Sequence, residues 1–137
     1  MTQFTAHGQF DIRCQGQWLY TSMLGIWNRE ATQSYAIDVQ NSAQDIYTKP
    51  WLRIVDLEHF EGGGQEVTDE LVKLQSWAKQ HNCIYVIFIL PQRLVEFMLS
   101  TADEVYRPFE IVQSFEQAEN LAKQIIPQNK ITTQSGS

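Results

Sequence analysis

Apolar and polar residues alternate over Phe10 to Cys14, the period-two pattern of a half-buried strand. Gln15-Gly16-Gln17 supplies a turn, and Trp18 to Leu24 resumes a run of β-formers, so the two segments predict a hairpin. From Asn28, a suitable N-cap, the period changes. Ala31, Tyr35, Val39, Ala43 and Ile46 recur at three- or four-residue spacing and predict an amphipathic helix over Arg29–Tyr47. Lys49-Pro50 stops it. Trp51 to Leu57 is a short apolar run suited to a central strand, and Glu58 to Val67, with Gly62-Gly63-Gly64, reads as a loop.

Thr68 is the expected cap of the next helix, with Asp69 and Glu70 complementing its dipole and Val67 and Val72 at the spacing of a hydrophobic staple. Leu71, Leu74, Trp77 and Ala78 line its inner face, and Asn82 is the left-handed stop. Ile84 to Leu90 is apolar on both faces, as in a strand covered from each side. Arg93 to Leu99 predicts a short helix and Pro108 to Val112 a further strand. Ser114 with Gln117 forms a capping box before a last helix lined by Phe115, Ala118, Leu121, Ala122 and Ile125.

The order β-β-α-β-α-β-α-β-α predicts an α/β fold. Its sheet is mixed but mostly parallel, with about five strands, an N-terminal hairpin and about four helices. The length of 137 residues suits one domain, expected over 1–126, with a polar C-terminal tail over 127–137. Met1 to Gly8 has neither a basic nor an apolar leader segment, so no signal peptide is expected. The longest apolar run, Cys83 to Leu90, falls far short of the ~20 residues of a membrane span, and a cytoplasmic location is expected.

Sixteen acids against ten Lys and Arg leave a net charge of −6, with no basic run. Nucleic acid and anionic membrane surfaces are therefore not expected partners. Cys14 and Cys83 are far apart and lie in apolar runs, which predicts two buried thiols rather than a disulfide, redox or zinc site.

Three motifs in order carry a resemblance: Gly8-Gln9-Phe10-Asp11-Ile12, then Gly25-Ile26-Trp27-Asn28-Arg29-Glu30 opening the long helix, then Lys49-Pro50-Trp51 entering the strand that ends in Val55-Asp56-Leu57. Over about Gly8 to Ile125 the chain resembles the STAS domains, and more closely the SpoIIAA-like branch of small stand-alone bacterial proteins. The resemblance implies a regulatory domain that docks on a protein partner. In that family a serine at the start of the helix after the third long strand is a phosphorylation switch. The corresponding stretch here, Gly62 to Thr68, has no serine and only the Thr68 hydroxyl, so the resemblance does not carry the switch over.

Asp56, Glu58, Glu61, Glu66, Asp69 and Glu70 crowd one window with His59 and no Lys or Arg. Loops beyond the carboxyl ends of parallel strands commonly hold ligands. A cationic partner or a divalent metal would suit these oxygens, but the spacing matches no calcium loop and a solvated acidic loop is the plainer reading. The three glycines lack the Lys-Ser/Thr of a phosphate cradle. His81 suits a helix C-terminus, and His7 stands apart. His59 beside Glu58 and Glu61 has the form of a general base with an orienting carboxylate, but only folding would bring Ser22, Ser100 or Cys83 near it.

Trp18, Trp51 and Trp77 fall on core faces, whereas Trp27 at a strand–helix junction is expected to be partly exposed. The segment with Leu94, Phe97, Met98 and Leu99 is more apolar than a surface helix needs. It is read equally as a dimer or partner face, as cover for an apolar pocket, or as simple burial.

The leading expectation is a non-enzymatic STAS-like regulatory or interaction module. It would bind a protein partner or small apolar ligand through Trp27, Glu58, His59, Phe60 and Glu61. No catalytic residue, metal or cofactor is assigned, and a homodimer is left open. The alternative is a metal-dependent or acid/base hydrolase using Asp56, Glu58 and His59. A third reading, lipid handling, requires an apolar cavity under the segment 93–99.

Overall fold

The computed structural model of the chain describes residues 8–96, 99 and 104–127, with backbone alone at Arg93. A six-stranded sheet runs β1 (Gln9–Gln15), β2 (Trp18–Ile26), β3 (Trp51–Asp56), β5 (Cys83–Ile89) and β6 (Phe109–Val112) in spatial order, with β4 (Phe60–Gly62) beside the end of β2. Among the described residues only β1 and β2 pair antiparallel. The β2–β3, β2–β4, β3–β5 and β5–β6 pairs are parallel, as crossover connections require.

Three α-helices lie among the described residues: α1 (Arg29–Ala43), α2 (Gln65–Gln80) and α3 (Phe115–Ile125). The first two cover one face of the sheet. Leu19, Met23, Tyr35, Val39, Trp51, Val55, Leu74, Val86 and Phe88 form the core there. On the other face Trp18, Leu52, Ile54, Ile87 and Ile89 pack under Ala118 and Ala122 of α3. Residues 51–55 of β3 are therefore buried on both sides, which explains the unbroken apolar run in that strand.

Local signals set the first and last helices as expected. Asn28 Oδ1 accepts from the Ala31 N–H at 2.9 Å, and Ser114 Oγ accepts from the Gln117 N–H at 3.1 Å. The long helix is shorter than the expected Arg29–Tyr47. It stops at Ala43, where the Gln44 N–H reaches back only to Asn41 O and the Ile46 N–H to Ala43 O. The tightened turns keep Ile46 buried and carry Tyr47 onto Trp77, ring centroids 5.9 Å apart.

Other expectations are corrected. The second helix starts at Gln65, capped by the backbone of Gly64 alone. Thr68 is inside its first turns, exposed, and its N–H bonds Gly64 O at 3.3 Å. The earlier start turns Val67 inward to 2% exposure, and that burial replaces the staple expected for Val67 and Val72. The expected loop Glu58–Val67 contains β4, which no periodicity announces because it is three residues long and ends in Gly62. Cys14 is exposed rather than buried, because it sits at the hairpin tip beside Gly16; Cys83 is buried, as expected. The helix expected over Arg93–Leu99 lies partly outside the described residues; within them a 3-10 turn spans Gln92–Leu94. Phe97, Met98 and the tail beyond 127 fall outside them as well. No helix among the described residues is long and apolar enough to cross a membrane.

Candidate functional site

The end of β3 is tied down before the acidic loop begins. Asp56 Oδ2 accepts from the Tyr20 hydroxyl at 2.8 Å, and its Oδ1 accepts the Glu58 N–H at 3.0 Å, closing an Asx-type turn. Burial, then the bond to Asp56 and its negative charge, push the Tyr20 phenol well above the usual tyrosine range, with Arg13 opposing. Tyr20 also meets the Phe115 ring edge-on at 5.3 Å.

Backbone bonds fasten the loop from the other side. The Gly25 N–H donates to His59 O at 2.9 Å, and the Trp27 N–H to Gly62 O at 2.8 Å. Gly25 (φ +84°) and Gly62 (φ +104°) hold the conformations this pairing needs, which side chains resist. Between these anchors Glu58, His59 and Glu61 are exposed. Among the described residues their side chains make no hydrogen bond or ion pair. Of the other acids of the window, Asp69 accepts from Gln65 at 2.9 Å and Glu70 lies 3.7 Å from Lys73 and 3.5 Å from the Gln33 amide, while half-buried Glu66 has no such partner among the described residues.

Trp27 corrects the expectation of exposure. It is 3% exposed, its Nε1–H donates to Leu24 O at 2.8 Å, and its ring lies within 5.4–6.2 Å of the Phe10, Tyr35 and Phe60 rings. The residue beside it, Ile26, takes the solvent position at 66% exposure. Strand alternation explains the exchange, since Ile26 and Trp27 leave the sheet on opposite sides. Gly8 closes over the indole, where any Cβ would stand 2.6 Å from Trp27 Cδ1. Phe60 is half-buried against Trp27 and links the loop to the core.

The structure thus brings Trp27 and Phe60 together below the surface, with Glu58, His59 and Glu61 above it. It does not gather Asp56, Glu58 and His59 into a catalytic cluster. Asp56 bonds Tyr20 and the loop backbone, whereas Glu58 and His59 face solvent. No three His, Cys, Asp or Glu side chains among the described residues stand together as a metal site would require. Two open cavities, about 380 and 340 Å³, lie beside β1 and α1 and beside β6 and α3, and neither is lined by the loop.

One polar cluster escaped the sequence reading. Arg53, in the middle of β3, is 3% exposed; its Nη1 donates to Gln75 Oε1 at 2.7 Å and its Nη2 to Tyr35 Oη at 3.0 Å. Tyr35 Oη shares a further bond with Thr21 Oγ1 at 2.8 Å. A lone Arg within the apolar stretch Trp51–Val55 was the available signal.

No family model matches the sequence, and no curated protein does. Several solved structures are similar, two of them over most of the chain. An uncharacterized DUF3478-family protein with a SpoIIAA-like fold from Shewanella loihica PV-4 superposes with a TM-score of 0.67 at 14% identity, covering 89% of this chain and 98% of that one. An anti-sigma factor antagonist from Mycobacterium paratuberculosis superposes at 0.59 and 11% identity, covering 85% and 95%. The chain is a STAS-like domain in fold. Its form is the SpoIIAA-like one, with the N-terminal antiparallel hairpin leading a mostly parallel sheet.

Proposed function

We propose that this chain is a non-enzymatic regulatory module that docks a protein partner with a basic surface on the loop Glu58–Glu61. The observation that carries the reading is the contrast within that loop. Its backbone is bonded on both flanks, yet Glu58, His59 and Glu61 present uncommitted polar groups to solvent. A surface held in place before contact loses little freedom on binding, and like charges gathered on it favour a partner of opposite sign. Trp27 and Phe60 serve from beneath by keeping the loop at its height above the core. Exposed Ile26, paired with Gly62, adds an apolar contact at the edge of the same surface. The fold lends support, since one structural neighbour is named as an antagonist of an anti-sigma factor.

Affinity capture with the wild-type chain and with Glu58→Lys/Glu61→Lys as baits tests the reading. A protein held by the first and lost with the second is then purified, and its dissociation constant should rise at least tenfold for the variant. Equal binding to both baits would remove the loop from the interface. A thermal shift with a divalent metal, abolished by Glu58→Ala, would instead favour hydrolytic chemistry. A shift with a small apolar ligand, insensitive to these changes, would move the site elsewhere.

A further inference from the structure

The seven residues of β1, Gln9-Phe10-Asp11-Ile12-Arg13-Cys14-Gln15, alternate polar and apolar symmetrically about Ile12. Gln9 matches Gln15, Phe10 matches Cys14, and Asp11 matches Arg13 with opposite charge, all about Ile12. β1 is an outer strand, paired only with β2 among the described residues. We propose that two copies of this chain join antiparallel through β1, centred on Ile12, into one continuous sheet.

The backbone geometry suits this register. Gln15 and Trp18 close a two-residue turn with Gly16 at φ +58° in its first position. Such a turn closes on a hydrogen-bonded pair, and these pairs alternate along an antiparallel ladder. Gln15, Arg13, Asp11 and Gln9 therefore direct their backbone groups to β2, while Cys14, Ile12 and Phe10 direct theirs outward. Antiparallel pairing about Ile12 sets Ile12 against Ile12 and Phe10 against Cys14, so all the outward groups meet as hydrogen-bonded pairs.

Charge selects that register over its neighbours. Centred on Ile12, each Asp11 stands opposite Arg13 of the other copy at the closer, non-hydrogen-bonded positions. Sliding by one hydrogen-bonded step either way sets Asp11 against Asp11 or Arg13 against Arg13. In the single chain these two side chains pair with each other at 3.0 Å, 54% and 74% exposed, an arrangement that contributes little. Charged side chains often guard an edge strand, but here they repel a second copy in both neighbouring registers and attract it in the one centred on Ile12. The other outer strand, β6, has four residues with Glu110 and no base to answer it.

Beside the edge, the cavity lined by Phe10, Asp11, Ile12, Asp38, Asn41 and Ser42 leaves about 380 Å³ for side chains of the second copy. Asp38 of both copies would border that space; its position in an open cleft exposes the repulsion to screening by salt. A ladder of seven residues covers less than a standard interface, so the dimer is weak and concentration-dependent.

Sedimentation equilibrium of the full chain from micromolar to millimolar concentration tests the proposal. Wild type should dimerise, Arg13→Asp should weaken the dimer at least tenfold, and Asp11→Arg/Arg13→Asp should restore it. Amide exchange on the wild type supplies a check that needs no variant: Phe10, Ile12 and Cys14 should gain protection as concentration rises. A monomer at millimolar concentration overturns the proposal, as does a dimer indifferent to Arg13→Asp or one that leaves those three amides unprotected.

Discussion

Tyr35 Oη bonds Arg53 Nη2 at 3.0 Å across the interior, so a guanidinium is held at the centre of the fold by neutral oxygens. Its Nε has no partner among the described residues. Tyr35 belongs to α1, Arg53 to β3, Gln75 to α2 and Thr21 to β2, so one polar cluster ties two helices to two strands. Buried charge is costly unless every bond is made, which makes each acceptor matter.

Gln75→Leu removes the Nη1 acceptor and should destabilise the fold by about 2–4 kcal/mol. Arg53→Met/Gln75→Leu removes the stranded charge as well and should recover about 1 kcal/mol or more of that loss. Denaturant unfolding of the two single variants and the double variant measures the coupling; strictly additive losses would rule out the bond as the source.

Tyr20 predicts an alkaline weakness. Its folded-state pKa lies above that of the unfolded chain, so its contribution is fully present below the ordinary tyrosine value near 10 and is lost as pH rises through the folded value. Wild type should therefore lose ground to Tyr20→Phe when unfolding is compared at about pH 8 and about pH 11, either side of the ordinary tyrosine value. A constant difference between the two proteins would contradict a raised Tyr20 pKa.

The two thiols should behave differently. Burial pushes the Cys83 thiol up, with the Arg53 guanidinium opposing, while Cys14 is exposed and raised by partial burial and by Asp45. In the native protein an alkylating reagent should modify Cys14 alone, and more slowly than a free thiol because less thiolate is present. Cys83 should react only on unfolding, and mass spectrometry of the native and denatured samples distinguishes them.

Gly63 borders Val67 and Trp27, where an added Cβ would stand 2.7 Å from Val67 Cγ2 and 3.0 Å from Trp27 O. Gly63→Ala should cost about 1–3 kcal/mol through this overpacking. The wild-type melting temperature in the Ala variant would show that the entry to α2 yields freely.

Legibility varied with the range of the interaction that decides each feature. Asn28 and Ser114 cap their helices through atoms three residues away, so a local pattern was enough to locate them. Ala31, Tyr35, Val39 and Ala43 announced the buried face of α1 by spacing alone. Thr68 looked like a cap by the same local rule, but burial of Val67 near Trp27, forty residues earlier, moved the start of α2 to Gln65.

What the sequence by itself determined is the succession of the longer strands and helices and the acidity of the loop after β3, because periodicity and charge are properties of neighbours along the chain. The tertiary structure alone decided which of those acids are free. Tyr20 reaches Asp56 from another strand, while β2 forms β4 by bonding the loop backbone and leaves Glu58, His59 and Glu61 at the surface. Strand alternation sends Trp27 and Ile26 to opposite sides, but which of them is buried was decided in the same way: the packing of Phe10, Tyr35 and Phe60 around the indole assembles only when distant segments meet.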